Sequence, residues 1–386
     1  MKILYLVLNP ERLSGSNKSL LLLISNLPIS IRPNVIIPYR GMLYHALVER
    51  KIPVSSLFTN PYKSILGKFF QLFCFFIYLS FNFLKIRPDI LHTNDVKSTL
   101  FFAWFARVFS CEVIAHVRGR LVFSRSTIFI FEKLVNKIIL VANALNQELS
   151  EYGKAKSIVI YNPVEEIPCL DNITAPEWFI EIRKSYQHVI LTMASYVPFK
   201  GIHHVLAALN ELKQRSDYSV AYVVIGDTID KHINYKNELN SYCDEHDLDM
   251  VYLKDWVDSS HVILGKVDLC ILPSVDKEKV VFGNYSFDCQ GSEGFPRFLL
   301  EAISHGVPVI ANDTSGISEL IIDGETGLLC VVNDSQRLSI FLESCFEDMS
   351  VLRKISTNAK QVIGDKYSIN KIMPKILSVY QEVLQK

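Results

Sequence analysis

Residues 189–225 read VILTMASYVPFKGIHHVLAALNELKQRSDYSVAYVVI, two apolar runs on either side of a helix-length segment. The runs Val189–Ala194 and Val220–Ile225 are typical of buried strands, and Ile202–Gln214 has the length of a crossover helix. Strands joined through a helix lie parallel in one sheet. This stretch therefore predicts a β-α-β unit.

The same alternation extends outward in both directions. It predicts further strands at Ile3–Leu8, Val35–Pro38, Ile90–His92, Glu112–Val117, Lys137–Val141, Ser157–Tyr161, Met250–Leu253, Leu269–Leu272 and Val307–Ala311. It predicts further helices at Asn17–Leu27, Val96–Phe109, Ala144–Tyr152, Phe295–Ser304, Arg337–Asp348 and Val351–Ile363. Alternating strands and helices are typical of an α/β protein with doubly wound parallel sheets.

The alternation is interrupted at 162–176, where three prolines and an acidic pair are typical of a linker. The length of 386 residues also favours two domains. We therefore predict an N-terminal domain at 1–165, a linker at 166–185 and a C-terminal domain at 186–366. Residues 367–386 are expected to form a helix that crosses back to the N-terminal domain.

The charge of the chain is balanced overall but not along its length. Forty basic residues match forty acidic ones, which argues against a general nucleic-acid-binding protein. Residues 1–170 carry 20 basic and 10 acidic residues, and residues 171–386 carry 20 and 30. A basic first half suits an anionic surface or acceptor, and the alternative is that two domains of opposite charge attract each other.

Cysteine usage and the N-terminus point to a cytoplasmic protein. Eight cysteines are scattered without a C-x-x-C pair, which fits a reducing compartment. The chain starts directly with a strand-like run, Ile3–Leu8, which is not a secretory signal.

The segment Phe69–Leu84 is apolar over sixteen residues and lies between two lysines. A bilayer span needs about 20 residues, so a helix buried in the first domain is the favoured interpretation. The alternative is an interfacial helix on a membrane with its lysines at the headgroups. A transmembrane span is the least favoured of the three.

Two loops that follow strands have the features of phosphate-binding turns. Gly15 follows the first strand and precedes a helix, whose N-terminus favours an anion. Lys200 occupies the same place in the second half and can reach a phosphate as a compact charge. An ordinary capped turn and a solvated lysine are the alternatives, and neither a G-x-G-x-x-G nor a P-loop motif is present.

The segment Ser292–Ala302 has the densest group of functional residue types. Glu293 is predicted at the mouth of a helix, and Glu301 lies among apolar residues within it. A carboxylate in apolar surroundings needs hydrogen-bonding partners. Ligand hydroxyl groups, such as the diol of a ribose, would be suitable ones.

Several motifs together resemble a known family. They are His116, Asn162-Pro163-Val164, Lys200-Gly201, the E-x-x-x-x-x-x-x-E element from Glu293 to Glu301, Gly306-Val307-Pro308-Val309, Glu319 and Gly327-Leu328-Leu329. In this order and spacing they resemble the retaining GT-B glycosyltransferases of glycosyltransferase family 4, also called glycosyl transferases group 1. The resemblance spans most of the chain and is strongest from Gly201 onward. It implies two Rossmann-like doubly wound domains facing a central cleft.

The resemblance also implies roles for individual residues. Glu301 would bind the ribose of a nucleotide sugar, Glu293 would lie near the donor sugar, and Lys200 would neutralise the leaving diphosphate. His116 would lie by the donor sugar and the acceptor hydroxyl. Backbone N–H groups near Gly15, Phe295 and Gly316 would hold phosphate and sugar, and no metal or other cofactor is implied.

The sequence departs from the family at two positions. The family's arginine five residues before the lysine is Ser195 here, and its Gly-Gly pair is Ser315-Gly316. Three arginines are candidates to supply the missing charge, namely Arg297, Arg118 and Arg120.

The resemblance favours an enzyme that transfers a sugar from a UDP- or GDP-sugar to a lipid-linked or saccharide acceptor. Surface polysaccharide or lipopolysaccharide synthesis is the expected process. The basic first half and the Phe69–Leu84 segment suggest the cytoplasmic face of an anionic membrane. The alternatives are a non-catalytic nucleotide-sugar-binding protein and a nucleotide-sugar epimerase.

Overall fold

The computed structural model describes residues 1–165, 174–216, 218–229, 232–257, 260–283, 285–291, 293–314 and 316–385. The chain divides into two compact units. Unit 1 comprises Met1–Glu165 and Tyr367–Lys386, and unit 2 comprises Glu166–Lys366.

Unit 1 contains a seven-stranded parallel sheet. Its strands are β1 (Lys2–Leu6), β2 (Arg32–Tyr39), β3 (Val54–Phe58), β4 (Ile90–Thr93), β5 (Glu112–Val117), β6 (Lys137–Leu140) and β7 (Ser157–Val159). Its helices are α1 (Gly15–Ser25), α2 (Met42–Glu49), α3 (Ile65–Ile86), α4 (Val96–Val108), α5 (Arg125–Leu134) and α6 (Glu151–Lys154). The strand order is β3-β2-β1-β4-β5-β6-β7. Strands β2 and β3 are added on one side of β1, and β4 to β7 are added on its other side. The switch point of this sheet therefore lies between β1 and β4.

Unit 2 repeats this topology. Its strands are β8 (His188–Met193), β9 (Val220–Ile225), β10 (Val251–Lys254), β11 (Leu269–Leu272), β12 (Lys277–Phe282), β13 (Tyr285–Gln290), β14 (Val309–Asn312) and β15 (Leu328–Cys330). Its helices are α7 (Glu177–Ser185), α8 (Ile202–Arg215), α9 (Ile233–Glu245), α10 (Ser260–Leu264), α11 (Arg297–Ser304), α12 (Ser335–Glu347) and α13 (Met349–Tyr367). The main sheet has the parallel order β10-β9-β8-β11-β14-β15, and β12 and β13 form a separate antiparallel hairpin.

The two sheets confirm the predicted α/β class with two Rossmann-like, doubly wound domains. The core of each sheet is almost fully apolar, since every residue of β9 and of β11 is buried. A strand that is buried on both faces has a continuous apolar run in its sequence. This explains why β5, β9 and β11 begin and end where the sequence analysis placed them.

Two local predictions are corrected, and one element was missed. The last nine residues of the predicted linker at 166–185 form α7, while 166–173 lie outside the described residues. The predicted helix Ala144–Tyr152 is a 3₁₀ helix, Asn143–Glu148, followed by α6. The hairpin of β12 and β13 was not predicted, because its charged, alternating sequence differs from the buried runs.

The C-terminal residues of the chain fold onto unit 1 as α14 (Ile369–Leu384). The apolar face of α14 packs into the core that contains Ile3, Tyr5 and Ile37 of β1 and β2. Tyr380 is fully buried there, and its hydroxyl lies 3.0 Å from the hydroxyl of Tyr5.

Helix α3 corrects the favoured interpretation of the apolar segment. It is longer than Phe69–Leu84, and only 22% of its most apolar window is buried. A helix enclosed in the core is therefore the wrong description. Within the described residues, α3 is the one helix long and apolar enough to cross a membrane, by length and composition alone.

Candidate functional site

The central feature of unit 2 is an ion pair at the switch point of its main sheet, between β8 and β11. Lys200 follows β8, and its Nζ donates to Glu293 Oε1 over 2.5 Å. Ser274 follows β11 and donates its hydroxyl to the same oxygen over 2.6 Å. The side chains of Lys200 and Glu293 are 19% and 10% exposed. Ligands of doubly wound sheets bind at this switch point, so the cluster lies at the expected place.

Two glycines allow the loops of this cluster to approach each other. Gly201 has φ +68°, and a Cβ there would overlap the carbonyl oxygen of Pro273. Gly316 has φ +88°, and a Cβ there would overlap the carbonyl oxygens of Glu293 and Gly294. Both positions therefore require glycine on conformational and steric grounds. Gly316 thus packs on the backbone that carries the glutamate of the ion pair.

Ser274 was not identified from the sequence. Its backbone is held by Asn312 at the end of β14, whose amide donates to the Ser274 carbonyl oxygen over 3.0 Å. The position of Ser274 directly after a buried strand is a signal that could have identified it.

Glu301 lies on α11 and is paired with Arg297. The Arg297 Nε and Nη2 atoms lie 3.0 and 2.7 Å from Glu301 Oε1, one turn apart on the helix. The two side chains are 12% and 21% exposed. Arg297 is thus engaged with the glutamate, whereas the sequence analysis named it as a candidate to replace the arginine missing at Ser195.

Other predicted residues of unit 2 lie close to this cluster along the chain. Phe295 is buried between Glu293 and the start of α11. Ser195 is half-buried in the loop after β8 and supplies no charge. The predicted Ser315 and the first residue of the motif, Ser292, lie outside the described residues.

In unit 1 the loop after β1 is held by Asn17. Gly15 is the first residue of α1, and the Ser14 hydroxyl caps the helix by accepting from the Asn17 N–H. The Asn17 amide donates to the carbonyl oxygens of Asn9 and Arg12 over 3.0 and 2.8 Å. The loop is therefore fixed from within, next to a helix N-terminus that favours an anion.

Arg118 joins three polar side chains of unit 1, one of which is His116. Arg118 donates from Nη2 to His116 Nδ1 over 3.3 Å. Its Nε and Nη1 donate to the side-chain oxygens of Asn94 and Asn162 over 2.6 and 2.8 Å. The guanidinium therefore joins the ends of β4, β5 and β7, a role that the sequence analysis missed.

The environment of His116 fixes its protonation state. Burial lowers its pKa well below the ordinary value, and the charges of Arg118 and His92 lower it further. A guanidinium only donates, so Nδ1 must accept and the single proton of the neutral ring lies on Nε2. The buried Nε2 has no partner among the described residues. His116 therefore has an Nε2–H donor to which none of the described residues is hydrogen-bonded.

His92 extends this group toward the C-terminal helix. Its ring lies 5.6 Å from that of His116, and its Nδ1 lies 2.8 Å from the Tyr380 hydroxyl. Burial lowers the pKa of His92 to about 3, with Arg118 contributing. Neither His92 nor Tyr380 was identified from the sequence, because they are 288 residues apart.

The potential metal-binding groups of the described residues lie elsewhere in unit 2. Ligand atoms of His203, His204 and Glu278 lie within 4.8 Å of one another. His204 Nε2 is 2.9 Å from Glu278 Oε2, and His203 Nδ1 is 2.9 Å from the Tyr235 hydroxyl. These side chains therefore already bond to neighbours, and the absence of a metal stays a prediction.

Most of unit 2 is similar to a known family. Residues 176–362 match the sequence profile of the family named glycosyl transferases group 1. The match covers just under half of the chain and contains Lys200, Ser274, Glu293, Arg297 and Glu301.

Two relatives show how far the similarity extends. An uncharacterized glycosyltransferase of Methanocaldococcus jannaschii is 24% identical over 250 residues, 64% of this chain and 60% of that protein. The O-antigen biosynthesis glycosyltransferase WclY of Escherichia coli is 21% identical over 326 residues, 78% of this chain and 80% of that protein. The chain spans less than two thirds of the length of several curated relatives that it matches.

Solved structures share the whole architecture. Anabaena HepE in complex with UDP-glucose superimposes with a TM-score of 0.80 at 21% identity, over 99% of this chain and 100% of that one. This likeness shows the GT-B fold. Residues 176–362 are thus similar to the glycosyl transferases group 1 family, within a chain that has the GT-B fold.

Proposed function

We propose that the chain is a retaining glycosyltransferase of family 4 that transfers a sugar from a nucleotide sugar to a lipid-linked or saccharide acceptor. The observation that carries this proposal is the Lys200–Glu293 pair, held by Ser274 at the switch point of the second sheet. The pair joins a cation suited to a phosphate and a carboxylate suited to sugar hydroxyls. A bound donor would compete for both groups, since its diphosphate attracts the ammonium and its hydroxyls donate to the carboxylate.

The proposed donor is a UDP- or GDP-sugar. Glu301, kept close to Arg297, accepts hydrogen bonds from the ribose, and backbone N–H groups around Phe295 and Gly316 hold phosphate and sugar. Support for a nucleoside diphosphate group in the donor comes from HepE, a structural neighbour described with UDP and with UDP-glucose. A donor screen identifies the base and the sugar.

In the proposed reaction, the bond between the anomeric carbon and the diphosphate oxygen breaks, and the diphosphate keeps the electron pair. The acceptor oxygen bonds to the same carbon on the same face, and its proton passes to the leaving phosphate. Negative charge grows on the diphosphate, where Lys200 and the helix N-termini stabilise it. A metal ion is therefore not required in this proposal.

The proposed acceptor belongs to a surface polysaccharide. Curated relatives are named for the biosynthesis of O-antigen, capsular polysaccharide and colanic acid. We place the reaction in the cytoplasm, at the inner face of the cell membrane when the acceptor is lipid-linked.

A donor screen tests the proposal. The purified full chain is titrated with UDP-, GDP- and ADP-sugars, and nucleoside diphosphate release is then followed with and without a lipid-linked oligosaccharide fraction. We expect one donor class to bind, and its diphosphate to be released with transfer of label to the acceptor. Donor binding without transfer would replace the proposal by the non-catalytic alternative, and a sugar epimer formed without acceptor would replace it by an epimerase.

A further inference from the structure

Helix α3 has apolar side chains on two opposite sides. Phe75, Leu79 and Phe83 are buried on one side together with Gln71, and their spacing of four residues places the four side chains in one stripe. A second stripe is 46–84% exposed and comprises Leu66, Phe70, Phe73, Ile77, Phe81 and Leu84. At about 100° per residue, the centres of the two stripes are nearly half a turn apart. The exposed stripe is therefore outside the packing of unit 1.

The buried side fixes how α3 lies on unit 1. Phe75 stacks on Phe101 of α4 with a centroid distance of 6.1 Å, and Phe83 contacts Phe102 edge-on at 5.7 Å. The buried Gln71 amide donates to the Asn60 carbonyl oxygen over 3.1 Å and accepts from the Tyr62 N–H over 3.2 Å. The helix is thus fixed along its length, and only one side is available to a partner.

Further exposed apolar side chains flank α3. Trp104 of α4 is 48% exposed and stacks on the half-buried Phe76 of α3 at 5.6 Å, and Phe109, directly after α4, is 49% exposed beside the buried Phe83. We call the exposed side of α3 together with Trp104 and Phe109 the apolar face. Contiguous exposed apolar side chains of this extent mark an interaction surface.

The charges within the two segments that carry the apolar face have one sign. Lys63 and Lys68 are exposed at the start of α3, and Lys85 and Arg87 are exposed at its end. No acidic residue occurs in 61–88 or in 96–111. An apolar stripe with cations at both ends complements a surface that has an apolar interior and an anionic rim, as an anionic bilayer has.

We propose that the apolar face is a docking surface for an anionic lipid bilayer, with α3 lying in the membrane plane. A spanning orientation would require the buried stripe to leave unit 1 and would put the two pairs of cations on opposite sides of the membrane. In the plane, cations at both ends of α3 lie along one membrane surface while the phenylalanines enter the acyl boundary. This inference does not depend on the proposed transfer reaction.

Vesicle co-sedimentation of the full chain tests the proposal. We expect binding to phosphatidylcholine vesicles that contain phosphatidylglycerol and weak binding to pure phosphatidylcholine vesicles. High salt should weaken binding without abolishing it, because screening acts on the charges and not on apolar burial. No sedimentation with the anionic vesicles at low salt would overturn the proposal.

Two sets of variants separate the apolar and the charged contributions. Replacing Phe70, Phe73 and Phe81 with serine should lower vesicle partitioning about tenfold or more, with an unchanged melting temperature. Replacing the four flanking cations with glutamine should lower it at low salt only, by up to about fivefold for each charge near the surface. Matched control sets in unit 2 should bind as the unmodified chain does: Val281, Val331 and Ile340 to serine, and Lys184, Lys266, Lys277 and Lys279 to glutamine.

A second copy of the chain is the competing occupant of the apolar face. Sedimentation velocity without lipid distinguishes it, since a copy seated there would give a dimer that the triple serine variant dissociates. A monomer at the concentrations used for vesicle binding supports the membrane. A dimer lost in the triple variant, with vesicle binding unaffected, overturns the proposal.

Discussion

Arg118 donates to Nδ1 of His116 across 3.3 Å and thereby leaves the single proton of the neutral imidazole on Nε2. The two residues stand at the end of one strand, β5, and the same guanidinium also holds Asn94 and Asn162. His116 is therefore set up as a hydrogen-bond donor and not as a base. Its partner would be an oxygen atom of donor or acceptor.

We expect Arg118→Lys to lower kcat about ten- to hundredfold with little effect on folding, because a lysine cannot serve three separated acceptors and the imidazole loses its fixed orientation. Arg120→Lys is the matched control. Arg120 is two residues away, is 38% exposed and pairs with Glu148 at 3.3 Å. Steady-state kinetics of both variants measure kcat. Equal kcat values would show that the Arg118 guanidinium does not position His116.

Lys200→Ala should reduce kcat about a hundred- to a thousandfold, the usual effect of removing one donor to a charge that develops during reaction. Donor affinity should fall less, because the diphosphate is already charged in the ground state. Ser274→Ala is the companion variant, since it removes one bond to Glu293 and leaves the cation in place. A Lys200→Ala enzyme with full activity would mean that another group neutralises the diphosphate.

Glu301→Ala should weaken donor binding about ten- to hundredfold, as expected for the loss of a hydrogen bond to a charged group. The variant also leaves Arg297 without a carboxylate at 2.7 Å. The double variant Glu301→Ala/Arg297→Ala removes the guanidinium as well. If the double variant binds donor as weakly as the single one, Glu301 itself carries the interaction; recovery of affinity would instead indicate a repulsive effect of Arg297.

The strands and most helices were predictable because burial on both faces of a parallel sheet leaves a direct signature in sequence. Lys200, Glu293 and Glu301 were identified as site candidates because they belong to motifs with fixed spacing. The position of Arg118 among Asn94, His116 and Asn162 was not predictable. Its acceptors come from the ends of three strands, and no local pattern encodes that convergence.

The exposure of α3 was unpredictable for a different reason. A run such as Phe69–Leu84 is apolar all round, so its periodicity does not tell a buried helix from one that is covered on one side. Only the packing of Phe75 and Phe83 against α4 determines which side faces outward.

The stability of the chain should fall on acidification below about pH 6.5 because of its buried histidines. Burial lowers the pKa of His92 to about 3 and that of His116 well below its ordinary value. Below pH ~6.5 the unfolded chain binds protons at these positions and the folded chain does not, so the free energy of unfolding decreases. Each histidine contributes a slope of up to about 1.4 kcal/mol per pH unit.

Urea unfolding between pH 7.5 and pH ~4.5 measures this slope for the unmodified chain and for His92→Phe. The variant loses the bond to Tyr380 and is less stable at pH 7.5. Its slope below pH ~5.5 should nevertheless be smaller by about one proton, which is the linkage effect of a single group. Parallel curves for the two proteins would show that His92 is protonated in the folded state.

Gly316→Ala should damage the site far more than the fold. The residue has φ +88°, and the new Cβ would overlap the carbonyl oxygens of Glu293 and Gly294, so the backbone that carries Glu293 must move away from Lys200 and Ser274. Gly324→Ala isolates the backbone strain, since Gly324 has φ +75° and nothing within 4 Å of the new Cβ. Both variants should lose about 1–2 kcal/mol of stability from the left-handed conformation. Only Gly316→Ala should also lower kcat, by about a hundredfold for a displacement near 1 Å. Kinetics and thermal melts of the pair measure both effects, and equal kcat values would show that the contact of Gly316 with Glu293 is irrelevant to turnover.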